Sequence, residues 1–406
     1  MAVQQSAAES AARARPQAAS ARSAAVLRAV EAFREAIQHP ALSRLATDPG
    51  ACNFLAGNPQ ELASKEYVEL LQRWAVPADK SWFGYKGPDE TAMRAAAEGL
   101  SAELDMVFDP ADIVLTRGAS GALAASLAAV VDVGDEVIFV SPPWFFYEAD
   151  ILGAGAVPVR VRMDEQSFDL DLGAIEAAIG ARTRAIIVNT PHNPTGRIYP
   201  EATLQGLAAT LTAASQRNAR PIYVISDEAY SRILFRGARF DTPGRYYPRT
   251  FLIHTYSKTA LAPGQRIGFL AMPPSMPDRE ELRAAFMGTG FTLGGLPDAI
   301  MQYALPELEQ LSIDLDDLEA KRDRMVGELG GMGYQLHVPE ATFYLLPRCP
   351  VADDLGFSLE LAERGVAVLP GRALEMPGFF RISLTATHDM IDRALPAFAQ
   401  AIEAGR

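Results

Sequence analysis

Short apolar runs alternate with segments of helical periodicity through the middle of this chain. The apolar runs cover residues 113–115, 137–140, 157–161, 185–188, 222–225, 251–253 and 267–271, and the helical segments cover 121–131, 172–179 and 204–214. Continuous apolar strands separated by helices are typical of a mostly parallel sheet that helices cover on both faces. We therefore predict an α/β fold whose large domain has three layers, α/β/α. Ligands of such sheets bind beyond the carboxyl ends of the strands, so we expect the functional residues there.

The pattern changes after residue 311. A long helical segment covers 314–329, followed by apolar runs at 334–338, 343–346, 366–369 and 379–384, with helices near 359–363 and over 390–402. This mixture predicts a smaller α+β domain over 306–406, beside a large domain over 76–305. An arm over 26–75, with an amphipathic helix at 26–37, is expected to pack with the small domain. Residues 1–25 are predicted to form a disordered tail, with an organelle transit peptide as the alternative.

Charge and cysteine content exclude several classes of protein. The 406 residues carry 37 basic and 50 acidic side chains, and the formal charge of 37 − 50 = −13 argues against binding to nucleic acid. The two cysteines, Cys52 and Cys349, form no CxxC or His/Cys cluster, so we expect neither a disulfide nor a metal site. Low cysteine content also favours a cytoplasmic location. Apolar windows such as 122–131 are shorter than the ~20 residues of a membrane span, so no membrane association is expected.

A lysine and an arginine follow the apolar run at 251–253. Lys258 and Arg266 lie in the string SKTALAPGQRIG, and Thr255 and Ser257 provide hydroxyls nearby. An ammonium at the end of a buried strand is costly to desolvate, and desolvation lowers the pKa of a lysine towards that of a nucleophilic amine. We predict that Lys258 forms a Schiff base with an aldehyde cofactor and that Arg266 and the hydroxyls hold a phosphate. The alternative is a solvated basic loop.

Two strand-to-helix turns carry further candidates. In the turn at 115–122, small residues including Ala119 and Ser120 allow backbone amides to approach a phosphate at a helix N-terminus. An ordinary turn that Ser120 caps is the alternative there. The string SPPWFFY at 141–147 places Trp144 just after a strand, where it either stacks on a planar cofactor ring or packs in the core.

The strings PHNPTG at 191–196 and SDEAY at 226–230 follow two further strands. Flanking prolines fix a turn that can aim the Asn193 amide at a ring hydroxyl, and a plain tight turn is the alternative. A carboxylate at Asp227 needs a cationic partner, which a protonated pyridine nitrogen would provide, with Tyr230 near the ring hydroxyl. Otherwise, Asp227 is a helix cap that pairs with an arginine.

Together these strings resemble the fold-type I pyridoxal-phosphate family, specifically class I/II aminotransferases similar to aspartate aminotransferase. The resemblance extends from about Phe54 to the C-terminus. It implies pyridoxal 5'-phosphate as cofactor, with Lys258 as the Schiff-base lysine and the catalytic acid and base. It also implies that Asp227 pairs with the pyridine nitrogen and that Asn193 and Tyr230 contact the ring hydroxyl.

The same resemblance implies contacts to the rest of the cofactor and to the substrate. The ring would stack on Trp144, with His192 behind it. The groups expected around the phosphate are those of Ala119, Ser120, Thr255, Arg266 and Tyr85 of the partner subunit. Gly57, Asn193 and Arg381 would bind the substrate, and Arg381 would hold its α-carboxylate in a bidentate contact. The alternative for Arg381 is an arginine on a surface strand.

The segment 286–295 bears on substrate choice because it contains no basic residue. Some dicarboxylate-specific relatives carry an arginine there for the distal carboxylate. The side-chain pocket is therefore predicted to be apolar or neutral, lined by Phe83, Phe286, Phe291 and Phe343. We expect an L-amino acid with a neutral or aromatic side chain rather than strict use of aspartate or glutamate.

The resulting prediction is a homodimeric transaminase that exchanges amino and oxo groups between an amino acid and a 2-oxo acid. The same cofactor also serves β-elimination, decarboxylation, racemisation and oxygen-dependent oxidation, and the motifs do not encode which bond breaks. A rival of another class is a regulator that uses such a domain as a sensor. It would carry a helix-turn-helix before this domain, and the residues there show no basic recognition pattern.

Overall fold

The computed structural model describes residues 18–293 and 296–404. The elements before the central sheet are α1 (Ala21–Ala29), α2 (Glu31–Gln38), α3 (Pro40–Leu45), β1 (Cys52–Asn53) and α4 (Lys65–Trp74). The single helix predicted at 26–37 is thus two helices, which break at Val30, where φ is −105° and ψ is 11°. Of the tail predicted over 1–25, residues 1–17 lie outside the described residues. Because α1 already begins at Ala21, the tail does not extend to residue 25.

A seven-stranded sheet forms the centre of the protein. Its strands are β2 (Ile113–Thr116), β3 (Glu136–Ser141), β4 (Val157–Arg162), β5 (Thr183–Asn189), β6 (Tyr223–Asp227), β7 (Thr250–Thr255) and β8 (Gly268–Ala271). Their order is β2-β8-β7-β6-β5-β3-β4. β8 runs antiparallel to both of its neighbours, and the other pairs are parallel. The mostly parallel sheet predicted from the apolar runs is confirmed.

Helices cover both faces of this sheet. They are α5 (Glu90–Leu104), α6 (Gly118–Val130), α7 (Tyr147–Gly153), α8 (Leu172–Ala178), α9 (Glu201–Arg217), α10 (Tyr256–Thr259), α11 (Arg279–Thr292) and α12 (Ala299–Leu308). Successive strand residues point to opposite faces. Val137 and Phe139 therefore pack with residues of α6 and α7, whereas Ile138 and Val140 pack with residues of α8 and α9. The three-layer α/β/α architecture is confirmed.

The C-terminal part adds a second, smaller sheet and its helices. They are α13 (Leu315–Met332), β9 (Tyr344–Leu345), α14 (Asp354–Glu363), β10 (Val366–Ala367), β11 (Leu369–Pro370), β12 (Phe380–Ser383) and α15 (His388–Ala404). β11, β12 and β9 form an antiparallel sheet in that order, and residues of α13 and α15 pack in the same core. Short 3₁₀ helices lie at Pro110–Asp112, Pro243–Arg245 and Gly371–Leu374.

The apolar run at 334–338 does not form a strand. Tyr334 is buried and its hydroxyl donates a 2.9 Å hydrogen bond to the carbonyl oxygen of Phe398. Tyr334 and Leu336 pack in the small core, whereas Val338 is exposed. The Arg348 N–H donates a backbone hydrogen bond to the carbonyl oxygen of Gln335, but this pairing does not continue into a ladder.

Strand β1 pairs in parallel with β10 and thereby joins the N-terminal arm to the C-terminal part. This pairing supports the division that we propose: an arm over 26–75 packed with a small domain over 306–406, beside a large domain over 76–305. No helix within the described parts of the chain combines the length and the apolar character that crossing a bilayer requires.

Candidate active site

The carboxyl ends of three adjacent strands bring the predicted site residues together. β5 ends at Asn189, β6 ends at Asp227 and β7 ends at Thr255. Asn189 lies beside Asp227 in the sheet register, and its Nδ2 donates a 2.8 Å hydrogen bond to the carbonyl oxygen of Asp227. The amide N–H of Asn193 in turn donates to Oδ1 of Asn189 at 2.8 Å. The turn that carries Asn193 is therefore fixed to the strand that carries Asp227.

Lys258 lies in α10, the single helical turn that follows β7. Its Nζ is 5.6 Å from the ring centroid of Tyr230 and 5.8 Å from that of Phe343, and both rings are buried. Among the described residues, no carboxylate forms an ion pair with Lys258. An amine that faces two aromatic rings is partly withdrawn from water, so the alternative of a solvated basic loop is wrong.

The carboxyl group of Asp227 lies at the end of β6 and is bound from two sides. Oδ2 accepts a 2.6 Å hydrogen bond from the hydroxyl of Tyr147, and Oδ1 accepts one of 3.3 Å from the N–H of Ala229. Burial raises the pKa of Asp227 above its ordinary value, although the bond from Tyr147 opposes this shift. No arginine pairs with Asp227 among the described residues, so the alternative of an arginine-paired cap is wrong. A cationic partner remains to be supplied.

A cradle of polar groups forms where α6 begins. The N-cap residue of α6 is Arg117, whose side chain makes no capping hydrogen bond, and Ser120 is exposed within the first turn. The alternative of a turn capped by Ser120 is therefore wrong, and N–H groups of this turn remain open to an anion. Gly118 has φ +71°, and a Cβ on it would lie 2.5 Å from Nη2 of Arg266. The absence of a side chain lets the guanidinium approach the helix terminus.

Hydroxyl groups complete the cradle. Nη1 of Arg266 donates a 3.1 Å hydrogen bond to Oγ of Ser257, which lies 3.0 Å from Oγ1 of Thr255. The guanidinium also donates to the carbonyl oxygens of Pro263 at 2.8 Å and Arg117 at 3.3 Å. A helix N-terminus, two hydroxyls and a guanidinium together suit a phosphate dianion.

Arg381 lies on β12 and is only 3% exposed. Nη1 donates a 3.1 Å hydrogen bond to Oδ1 of Asn193, and Nη2 donates one of the same length to the carbonyl oxygen of Leu55. Its Nε is buried without a hydrogen-bond partner among the described residues. The alternative of a surface arginine is wrong. A buried guanidinium with an unsatisfied donor can bind a carboxylate.

Gly57 lies against the same group of side chains. A Cβ on Gly57 would lie 2.5 Å from the hydroxyl oxygen of Tyr344 and 2.7 Å from Cε2 of Phe343. Glycine at this position lets the backbone approach both rings closely, and Arg381 lies over the ring of Tyr344.

Comparison with known proteins accounts for this arrangement. The sequence profile of the family described as aminotransferase class I and II matches residues 50–398. The chain belongs to this family. It is a pyridoxal-phosphate-dependent aminotransferase, as the motifs predicted.

Individual relatives resemble this aminotransferase over most of its length. The aspartate/prephenate aminotransferase of Thermus thermophilus is 30% identical over 359 aligned positions, and the match covers 86% of this chain and 90% of that protein. An amino transferase from Eubacterium rectale has a similar structure, with a TM-score of 0.84, 28% identity, and coverage of 100% of this chain and 99% of that one. The N-succinyldiaminopimelate aminotransferase of Mycobacterium tuberculosis matches with a TM-score of 0.82, 27% identity, and coverage of 95% and 100%.

The residues of this aminotransferase fit pyridoxal phosphate. The uncapped start of α6 and Arg266 provide for the phosphate, and the half-buried Asp227, whose pKa desolvation raises, lacks the paired cation that a pyridinium would supply. His192 is buried, with Nδ1 2.9 Å from Oγ1 of Thr195 and Nε2 3.0 Å from the carbonyl oxygen of Pro142. Burial lowers the pKa of His192 to about 3, so the imidazole is neutral and joins the Asn193 turn to the loop of Trp144.

The aromatic residues predicted for the site of the aminotransferase have different environments. Trp144 is half-buried, and its ring lies edge-on to that of Tyr147 at 5.6 Å, so it neighbours the residue that binds Asp227. Tyr85 is fully exposed, and the contacts that join the other predicted residues do not include it. Two residues were missed: Tyr147, although it ends the string SPPWFFY, and Tyr344, whose only signal was the adjacent Phe343.

The predicted lining of the side-chain pocket is partly wrong. Phe286 is buried in the core against Phe251, with ring centroids 5.3 Å apart, and the apolar cavity that it lines beside Arg117 does not include Lys258 or Arg381. Phe343 lies beside Lys258, and Phe83 is exposed. The side chain of Phe291 lies outside the described part of the structure.

Proposed function

We propose that this aminotransferase transfers the amino group of an L-amino acid with a neutral or aromatic side chain to a 2-oxo acid. The observation that carries this proposal is the contact between Arg381 and Asn193, which joins a carboxylate-binding guanidinium to the turn beside Asp227. The rings next to this contact, those of Phe343 and Tyr344, are apolar surfaces suited to an uncharged side chain. The segment 286–295 adds no basic residue that would bind a second carboxylate.

A dicarboxylic amino donor is a second candidate. It is favoured by the names of the relatives, which include aspartate/prephenate aminotransferases and an aspartate aminotransferase from Thermotoga maritima. The two candidates differ in one requirement. A dicarboxylic donor needs a cation for its distal carboxylate in addition to Arg381.

We propose the following roles for the side chains. Pyridoxal phosphate, when bound, supplies an aldehyde that condenses with amines and a ring that withdraws electrons from the substrate Cα. Lys258 removes the Cα proton and returns a proton to the product. Asp227 holds the ring nitrogen in its protonated form, because a buried carboxylate favours an adjacent cation. Asn193 and Tyr230 hold the ring hydroxyl.

The remaining groups are proposed to position the two ligands. Arg381, with Gly57 against its neighbours, holds the α-carboxylate so that one bond at Cα is aligned for cleavage. Trp144 is proposed to lie on the ring. The groups proposed to hold the phosphate are those of Ala119, Ser120, Thr255 and Arg266.

We propose a homodimer in which Tyr85 of the partner subunit completes the phosphate site. The full exposure of Tyr85 supports this, because its hydroxyl is available to a second chain, and Phe83 beside it is 60% exposed. Large apolar side chains that are exposed together often mark an interface. A cytoplasmic location is also proposed, supported by the two cysteines, which are both free.

A donor panel tests the proposed substrate class. The purified enzyme is mixed with phenylalanine, leucine, aspartate or glutamate, with and without 2-oxoglutarate or pyruvate, and the oxo acids are measured. We expect the highest kcat/KM with phenylalanine or leucine and no turnover without an acceptor. A preference for aspartate would support the second candidate. Ammonia release without an acceptor would contradict transamination.

A further inference from the structure

Tyr344 lies at the centre of the proposed site, and its hydroxyl contacts a group proposed to bind the cofactor. It is 3% exposed on β9. The guanidinium carbon of Arg381 lies 4.1 Å from the centroid of its ring. Its hydroxyl oxygen is 3.4 Å from that of Tyr230, at the long end of the hydrogen-bonding range, with Tyr230 as donor. One phenol therefore contacts both the carboxylate-binding group and the group proposed to hold the cofactor ring.

Charged and polar groups on three other elements face Tyr344. They are the guanidinium of Arg381 on β12, the Nζ of Lys258 on α10, which is positively charged before the cofactor binds, and the hydroxyl of Tyr230 after β6. Burial by itself raises the pKa of Tyr344, but the two cations and the bond from Tyr230 hold this pKa below its ordinary value. Burial and the adjacent Tyr344 raise the pKa of Tyr230 well above its ordinary value, and Asp227 adds to this shift. The two shifts agree with Tyr230 as donor and Tyr344 as acceptor.

The direction of this hydrogen bond has a consequence for the cofactor. A tyrosine hydroxyl carries one hydrogen. The oxygen of Tyr344 therefore competes with the ring hydroxyl of the cofactor for the hydrogen of Tyr230. When Tyr344 offers no oxygen, the hydrogen of Tyr230 is free to bond an ionised ring hydroxyl and stabilise it.

We propose that Tyr344 is a positioning residue that couples carboxylate binding at Arg381 to the ionisation of the lysine-bound cofactor, through its hydrogen bond with Tyr230. This inference rests on the proposed roles of Arg381, Tyr230 and Lys258. A carboxylate on Arg381 offsets the positive charge above the Tyr344 ring, and this changes how strongly Tyr344 accepts from Tyr230. The coupling therefore works in both directions.

The test is a pH titration of the absorbance of the bound cofactor in the holoenzyme. Tyr344→Phe removes the acceptor, so we expect its titration midpoint to fall by roughly 0.5–1 pH unit, as expected for one hydrogen bond. Tyr334→Phe is the matched control, because it removes a buried hydroxyl that bonds the carbonyl oxygen of Phe398 in the same core. This control should keep the wild-type midpoint.

A double-mutant cycle tests the coupling itself. We expect the midpoint shifts of Arg381→Ala and Tyr344→Phe to be non-additive in the double variant, because the two side chains are in contact. Additive shifts would overturn the proposed role of Tyr344 and leave the proposed roles of Arg381, Tyr230 and Lys258 in place. The same follows if Tyr344→Phe binds the cofactor and titrates with the wild-type midpoint. A wild-type enzyme that shows no pH-dependent cofactor absorbance would overturn this inference together with the proposed role of Lys258.

Discussion

The hydroxyl of Tyr147 donates a 2.6 Å hydrogen bond to Oδ2 of Asp227, across 80 residues of sequence. Burial raises the pKa of Asp227, and this bond opposes the shift by stabilising the carboxylate. Tyr147 thus helps to keep the ionised form that we propose to pair with the ring nitrogen. Its own burial and its contact with Asp227 raise the pKa of Tyr147, which keeps the phenol protonated as a donor.

Tyr147→Phe should therefore raise the pKa of Asp227 further. We expect the acidic limb of the kcat/KM profile to move to higher pH by about 1 unit, which is the size of one hydrogen bond to a charged group. Tyr199→Phe is the control, because the buried hydroxyl of Tyr199 has no hydrogen-bond partner among the described residues. An unchanged profile in Tyr147→Phe would show that this bond does not set the ionisation of Asp227.

Arg381→Lys keeps the positive charge but removes the planar pair of donors. We expect KM for amino acids to rise about 10- to 100-fold while the cofactor stays bound, because hydrogen bonds to a charged group are each worth roughly 1.5–3 kcal/mol. Arg348→Lys serves as the control, because Arg348 is exposed and lies over the ring of Phe379. Steady-state kinetics with one donor and one acceptor measure the effect. A KM equal to that of the wild type would remove Arg381 from carboxylate binding.

Tyr85→Ala and Lys258→Ala test the shared site by complementation. Lys258→Ala alone should be inactive, whereas Tyr85→Ala should bind pyridoxal phosphate about 10-fold more weakly, the size expected for one hydrogen bond to phosphate, and lose activity when the cofactor is limiting. A mixed dimer contains one site with both native residues. Unfolding and refolding the two variants together should therefore restore part of the wild-type activity. If the mixture stays as inactive as the separate variants, Tyr85 does not act across a dimer.

His192 makes the folding stability of the protein depend on pH. Burial lowers the pKa of its imidazole from the ordinary 6.5 to about 3. Between these values the unfolded chain binds a proton that the folded chain does not, so the free energy of unfolding falls as the pH is lowered from 6.5 towards 3. The slope for this one residue is at most ~1.4 kcal/mol per pH unit.

His192→Gln removes this titration and keeps a donor for the carbonyl oxygen of Pro142. Between pH 7.5 and pH 5, we expect the free energy of unfolding to fall by about 2 kcal/mol less in the variant than in the wild type. This difference corresponds to about 1.5 pH units between the ordinary pKa and pH 5, at ~1.4 kcal/mol per unit. Denaturant unfolding of the two proteins at both pH values measures it. The same loss in both proteins would show that His192 titrates normally in the fold.

The sequence predicted the parts of this protein that depend on local pattern. Continuous apolar runs such as 185–188 predicted buried parallel strands, because a strand covered on both faces has no polar side. Strand ends then located Asn193 and Asp227. The contacts of Tyr147 with Asp227 and of Tyr344 with Arg381 were not predictable, because they join residues that are distant in sequence.

Errors arose where a pattern fits two environments. The spacing Val26, Val30, Phe33 and Ile37 suits one helix, but the backbone breaks at Val30. Phe286 was assigned to a pocket because it is aromatic and near an expected binding segment. An amphipathic helix can place such a ring against the sheet instead, and Phe286 packs on Phe251. The helical spacing of apolar residues does not show which neighbouring element the apolar face of a helix packs against.

The central claim is that one lysine carries the cofactor. The chain has five lysines, at positions 65, 80, 86, 258 and 321. The direct measurement is borohydride reduction of the enzyme after incubation with pyridoxal phosphate, followed by peptide mass spectrometry. We expect a stable adduct on Lys258, none above background on the other four lysines, and no specific adduct in Lys258→Ala. An adduct on another lysine with Lys258 unmodified would contradict it.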